Sequence, residues 1–239
     1  TVMRRVEVAM ESSGEQTKAL RGYAEEMGKT TTFSAKSAAD GLLVLATAGM
    51  KADDAMQALP TVMHMATVAA GESAGGIADI KQSADTLLTI MNSSGFKSSN
   101  LVAISDVIVT TAQSSMTTVN AVGESLKRSA ATAKSAGIDF LDLAATIGVM
   151  ADGGYRGERA GTALASSFQR MLNPSRQMQE TMDRLGLVFQ SSPGKLIPLI
   201  DIFKQLEKAG ANATDMSILF GLHHSDAMNV VLNKGVPVL

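Results

Sequence analysis

The sequence predicts an all-α fold: a multi-helix domain of short helices, with two related helical hairpins and a C-terminal helical subdomain. Three observations carry that prediction. Hydrophobic residues make up 45% of the 239 positions, yet aromatics are only 4%, with Trp absent and 15 Met, so small and flexible apolar side chains dominate. A two-sheet β protein draws on more β-branched and aromatic residues. Apolar positions recur at helical spacing along most of the chain, and Ser, Thr or Asp before these runs and Gly after them match helix caps. Chain length allows roughly one or two domains of ordinary size.

The elements follow in order. Residues 1–33 read as an N-terminal helical lead-in. Ser34 caps a helix to Ala48, closed by Gly49. Asp53 and Asp54 suit the next helix start, and Pro60 is expected to break or kink that helix before it resumes through Ala70. Gly71, Gly75 and Gly76 interrupt it, Ile77 to Asn92 is helical again, and Asn92 to Asn100 is a Ser, Gly and Asn-rich loop. From Leu101 to Gln113 the apolar positions Leu101, Ile104, Ile108 and Ala112 form one face, broadened by Val102 and Val109.

Thr118 caps a helix with the stripe Val119, Val122, Leu126, Ala130 and Ala133, leaving Lys127, Arg128 and Lys134 outside, and Gly137 closes it. Asp139 caps a helix whose Phe140, Leu143, Ala144, Ile147, Met150 and Ala151 share a face, ended by Gly153 and Gly154. Further helices are expected from Glu158 to Leu172, Ser175 to Leu185, Leu196 to Lys208 and Thr214 to Asn233, roughly eight to ten in all. Between Gly186 and Lys195 lies the one credible extended segment, too short for a sheet alone.

Sliding the chain by about 105 residues lays Ala46, Gly49, Ala55, Ala58 and Leu59 over Ala151, Gly154, Ala160, Ala163 and Leu164. Charge matches too, Lys51 with Arg156 and Asp53 with Glu158. The shared unit is helix, glycine turn, basic residue, acidic start, helix. We read two related hairpins within a core domain at 34–173, followed by a C-terminal helical subdomain at 174–239.

Composition also excludes chemistry. With no Cys, disulfide frameworks, thiolate metal sites and cysteine nucleophiles are absent. Lys and Arg total 21 against 23 Asp and Glu, interspersed, with no polybasic arm for nucleic acid. No apolar run approaches the roughly 20 residues of a membrane span. The chain starts with Thr1 and ends at Val238-Leu239, which reads as a piece of a longer protein.

Three strings invite a chemical reading. Gly71-Glu72-Ser73-Ala74-Gly75-Gly76 satisfies the nucleophile elbow of serine esterases, and Asp201 or Asp215 with His223 or His224 completes the order of a triad. An elbow needs a preceding strand and an oxyanion loop, whereas the residues before Ser73 read as helix, so a glycine turn between helices is the better account. His223 and His224 diverge by about 100° on a helix and His64 stands alone, so no metal is expected. Gly153-Gly154-Tyr155-Arg156-Gly157 with Gly161-Thr162 resembles a phosphate loop but lacks the strand and the Lys of that motif. No cofactor and no catalytic residue are expected, and the residues alone also suit a generic helical scaffold or a membrane-active module. Between Thr86 and Gly123 the only charges are Lys97 and Asp106, a neutral window read as a candidate surface for helix association, to be probed by charge at Val107 or Val119.

Taken together, these segments resemble a known family. TTTFSAKSAADGLLVLATAGMKADDAMQALP at 30–60, ISDVIVTTAQSSMTTVNAVGESLKRSAATAKSAGI from Ile104 and ATIGVMADGGYRGERAGTALASSFQRMLNP from Ala145 are similar to the core domain of phage tail tape measure proteins of the TP901 type. DRLGLVFQSSPGKLIPLIDIFKQL at 183–206 and LFGLHHSDAMNVVL at 219–232 continue the likeness in the family's order. The residues that carry it are Gly49, Gly153, Gly154, Ala160, Gly161, Thr162, Gly186, Gly194, Phe220 and Gly221, all as structural motif. The glycines around Ser73 depart from the commoner family pattern. What the resemblance implies is a structural, non-enzymatic protein of the phage or prophage virion. Such a protein sets tail length during tube assembly and takes part in DNA delivery at infection. Its implied location is the tail lumen, and the host cytoplasm during assembly. Implied partners are further copies of itself, the tail tube protein, tail assembly chaperones and tail-tip or baseplate proteins. The resemblance implies no sequence-specific nucleic-acid recognition, and membrane contact only through other parts of a longer chain.

Overall fold

The computed structural model describes residues 2–11, 13–72 and 79–235. Among them are thirteen α-helices and one two-stranded ribbon, so the fold is all-α. The chain divides into two compact units, Thr1–Val109 and Thr110–Leu239.

The N-terminal unit contains α1 (Val2–Met10), α2 (Gly14–Thr30), α3 (Ala35–Thr47), α4 (Ala52–Gly71), α5 (Ile80–Ser94) and the short 3-10 turn Ser98–Asn100. The next helix, α6 (Leu101–Ser114), spans the division between the units. Ser13 caps α2 in a reciprocal capping box with Gln16, and Ser34 and Asp79 cap α3 and α5. Helix α3 is the hub, packed against α1, α2, α4 and α5. Its composition explains this, because Ala38, Ala39, Gly41, Leu42, Leu43, Leu45 and Ala46 are all buried, which takes in most of its circumference. At Gly41 a Cβ would come within 2.6 Å of the Ile80 side chain and 2.8 Å of Leu59, so glycine is what lets α3 approach α4 and α5 together.

The C-terminal unit holds α7 (Val119–Ala136), α8 (Phe140–Asp152), α9 (Glu158–Leu172), α10 (Arg176–Leu185), strands β1 (Gln190–Ser192) and β2 (Lys195–Leu196), then α11 (Leu199–Lys208), α12 (Ala213–Phe220) and α13 (Ser225–Gly235). The strands form an antiparallel hairpin turned at Gly194, where φ is +78°. Thr118, Asp139, Ser175 and Asn212 cap α7, α8, α10 and α12. Helices α7 and α9 pack most extensively, and α13 closes over α8 and α9.

The repeat reaches beyond the hairpins. Helices α3 and α8 are both 13 residues long and begin 105 residues apart, at 35 and 140. The preceding helices α2 and α7 begin at 14 and 119, the same interval. Ala46, Ala55, Ala58 and Leu59 are buried, and so are their counterparts Ala151, Ala160, Ala163 and Leu164.

Several local expectations are corrected. Helix α4 runs from 52 to 71 through Pro60 without interruption. The helix expected over Thr214–Asn233 is two, α12 and α13, divided at Gly221, where φ +87° and ψ 148° are incompatible with continuing α-helix. Leu196 belongs to β2, and the following helix starts at Leu199. Val102 is 56% exposed, not part of the buried face of α6.

Candidate functional site: glycine turns and close helix contacts

Gly49 and Gly154 occupy equivalent corners and have the same conformation, φ +86° and +88°. At the first, Gly49 N donates to Ala46 O (2.9 Å) and Met50 N to Leu45 O (3.2 Å); at the second, Gly154 N donates to Ala151 O (3.0 Å) and Tyr155 N to Met150 O (2.9 Å). Both are Schellman turns, which satisfy the last carbonyls of the helix and need a left-handed residue. Gly186 ends α10 the same way, with Leu187 N donating to Met182 O at 2.9 Å. The Arg156 side chain folds back, its Nε donating to Ala151 O at 3.3 Å. A cation over a helix C-terminus is favourable, so Arg156 caps α8 instead of facing a ligand.

Gly153 and Gly161 mark close approach, and Ala160 between them is fully buried. A Cβ on Gly153 would collide with the Val230 side chain of α13, and one on Gly161 with the Ser125 carbonyl of α7. Ser125 Oγ donates to Gly157 O (2.8 Å), and Arg128 pairs with Glu158 at 2.7 Å, fixing the start of α9 on α7. Phe220, fully buried, stacks on Phe189 with ring centroids 6.4 Å apart.

Sequence reasoning missed four polar side chains that tie the C-terminal unit together. Arg170 donates from Nε to Leu219 O (3.2 Å) and from Nη2 to Ile218 O (2.6 Å), capping α12 beside Gly221. Gln190 Nε2 bonds the α9 carbonyls of Met171 and Leu172 at 2.9 and 3.0 Å. Its Oε1 accepts from Gly194 N, so one side chain fixes both the hairpin and the end of α9. Gln205 pairs with both backbone groups of Val188. Arg184 pairs with Asp215, whose side chain is only 4% exposed and which also accepts from Asn212 N. A buried carboxylate needs such partners.

Ser73, Gly75 and Gly76 lie outside the described residues, but the residues before them form α4, not the strand an elbow requires. Asp215, a triad candidate, has its carboxylate committed to Arg184 and the α12 cap. Asp201 is exposed in the first turn of α11, and His64 is exposed on α4. Among the described residues no group of three His, Asp or Glu is arranged to hold a metal ion. No helix there is long and apolar enough to cross a membrane.

His223 and His224 do meet part of the phosphate-loop-like string. They line an open cleft of about 280 Å³ with Tyr155, Glu158, Arg159, Thr162 and Ala163. The Arg159 guanidinium lies 4.9 Å from the centre of the Tyr155 ring. His224 is pushed below its ordinary value by burial first, then by His223 and Arg170. In the neutral window most apolar side chains are core: Leu87, Ile90, Ile108 and Val119 are each 0% exposed, whereas Met116 is 67% exposed. A charge at Val119 would therefore break α7 packing instead of testing a surface, and Val107, half-buried, is the usable position.

These features are turns and packing contacts within the helical fold. The chain is 30% identical over 239 residues to the tape measure protein of Pneumococcus phage Dp-1, a match covering 98% of this chain and 20% of that protein. It is 24% identical over 222 residues to the probable tape measure protein of Escherichia phage P2, covering 90% of this chain and 26% of that one. The chain thus spans about a fifth to a quarter of the length of these curated relatives. No solved structure matches it. The family model described as phage-related minor tail protein matches residues 21–221, and the chain belongs to that family.

Proposed function

We propose that this chain is the helical core segment of a phage or prophage tail tape measure protein of the TP901 type, a non-enzymatic part of a longer chain that sets tail length during tube assembly. The observation that carries the reading is the match to the Dp-1 tape measure protein along nearly all of this chain. Its place is the tail lumen, after assembly in the host cytoplasm, and it later takes part in DNA delivery. The partners are further copies, the tube protein, assembly chaperones and tail-tip or baseplate proteins. Within the segment, the glycine turns and close contacts named above serve as its structural motif, in a core over 34–173 and a subdomain over 174–239.

A helix converts residue number into length at about 1.5 Å per residue, which is the physical basis of a ruler. Among the described residues the longest helix is α4, with 20 residues, so the segment contributes a folded block of short helices and not an extended measure. Its role is then to start or anchor the assembly whose length another part of the protein sets.

Electron microscopy of phage particles tests both halves of this division. In-frame deletions in extended helical regions of the parent protein outside this segment should shorten tails by about 1.5 Å per residue. Substitutions that unfold this segment should abolish tails without giving a graded series of lengths. Tails of unchanged length in the first set overturn the ruler reading, and normal tails in the second overturn the anchoring role.

A further inference from the structure

The corner between α12 and α13 joins a bend, a partly buried histidine and the helix that closes the C-terminal unit. Chain direction changes at Gly221, and the next turn is short, His224 N and Ser225 N both donating to Gly221 O at 3.1 and 2.9 Å. The His224 carbonyl then accepts from Met228 N (3.1 Å), so His224 sits at the N-terminal end of α13. From there α13 buries Ala227, Met228 and Val231, sets Val230 against Gly153, and ties its far end down through Lys234 Nζ to Asp152 O at 3.1 Å.

Charge around this corner is mostly positive. Arg170 caps α12 from beneath Gly221, His223 is adjacent, and Arg159 lines the same cleft. Across it, Tyr155 lies under Arg159, and the Glu158 carboxylate is paired with Arg128 at 2.7 Å. On α13 itself, Asp226 is exposed in the first turn and favours a protonated neighbour, while the free N–H groups of that turn oppose it. On α12, Asp215 is held by Arg184.

We propose that this corner is an acid-released latch: α13 rests over α8 and α9 while His224 is neutral, and protonation of His224 lets α13 lift away. Protonation adds a cation to a half-buried site that already faces Arg170 and Arg159, at a helix end that disfavours positive charge. The sign follows from His224 lying below its ordinary value of 6.5. The neutral form is the one the fold favours, so this part of the stability is present above 6.5 and is lost as pH falls through the lower value in the folded protein.

Hydrogen exchange of the whole 239-residue chain at pH 7.5 and 5.0, corrected for intrinsic exchange rates, reads the latch directly. Amides of 225–235 should lose protection roughly 10-fold more than those of α7 between the two conditions. His224→Gln, which cannot become charged, should keep its α13 protection at pH 5.0. Equal loss in α7 and α13, or the same α13 loss in His224→Gln, overturns the proposal. Should His224→Gln not fold, His224→Asn takes its place in the same exchange comparison: retained α13 protection at pH 5.0 supports the latch, and the loss seen in the unmodified chain overturns it.

Discussion

In the N-terminal unit the hub is α3, while α2 and α4 barely touch; in the C-terminal unit the equivalent of that weak pair, α7 with α9, is the most extensive contact of all. Both units begin from the same helix plan, at the same spacing and with the same glycine turn. What separates them is side-chain size at matching positions. Ser125 and Gly161 meet between α7 and α9, whereas the residues 105 places earlier are Leu20, fully buried, and Met56. Two small residues bring helix axes together, and two large ones hold them apart. A further difference is Pro60 in α4, against Ala165 in α9. Repeats of one plan thus reach different packings through a few volumes, while the cap positions of the first two helices and the Gly49 and Gly154 turns correspond.

Exchanging residues between the units tests this account. Ala165→Pro places the proline of α4 into α9, removes a backbone hydrogen bond and clashes with the preceding turn, and should cost at least about 3 kcal/mol. Urea unfolding should show the loss in the C-terminal unit alone; an N-terminal transition that moves equally would break the comparison. Leu20→Ala should destabilise the N-terminal unit by about 3 kcal/mol through the cavity it leaves, measured in the same way. A cost below about 1 kcal/mol would mean that Leu20 is not the spacer.

Gly161→Met gives α9 the residue of α4 and forces it off the Ser125 carbonyl, at a cost of about 2 to 3 kcal/mol. Retained stability would show that α7 and α9 do not depend on a small residue there. The smallest effects belong to the shared corners. Gly49→Ala and Gly154→Ala each put a Cβ on a left-handed residue and should each lower stability by about 1 kcal/mol, equally in the two units. Unequal values from denaturant midpoints would mean that the turns are not equivalent.

Much of the fold was legible because its signals are local. Ser34, Thr118 and Asp139 cap the helices they were expected to cap, and Gly49, Gly137 and Gly154 close theirs with positive φ. What was not legible depends on distant partners. Arg170 reaches carbonyls 48 and 49 residues away and Gln190 reaches back 18 and 19, and such pairings leave no periodic trace. The break at Gly221 was hidden because apolar residues lie on both sides of it, Phe220 buried and Leu222 75% exposed. The break expected at Pro60 does not occur, since α4 continues across it with Leu59, Val62 and Met63 buried on either side. Of the candidate site, the glycine turns were readable from spacing, whereas the cleft joining Tyr155 and Arg159 to His223 and His224 required the folded chain.

The succession of short helices ended by corners also sets how the segment yields to a pulling force. Each helix drawn out to extended chain lengthens from about 1.5 to about 3.4 Å per residue, so a helix of 20 residues such as α4 releases roughly 40 Å. Tension would therefore be met in steps, one compact unit at a time, each step releasing the slack of all its helices.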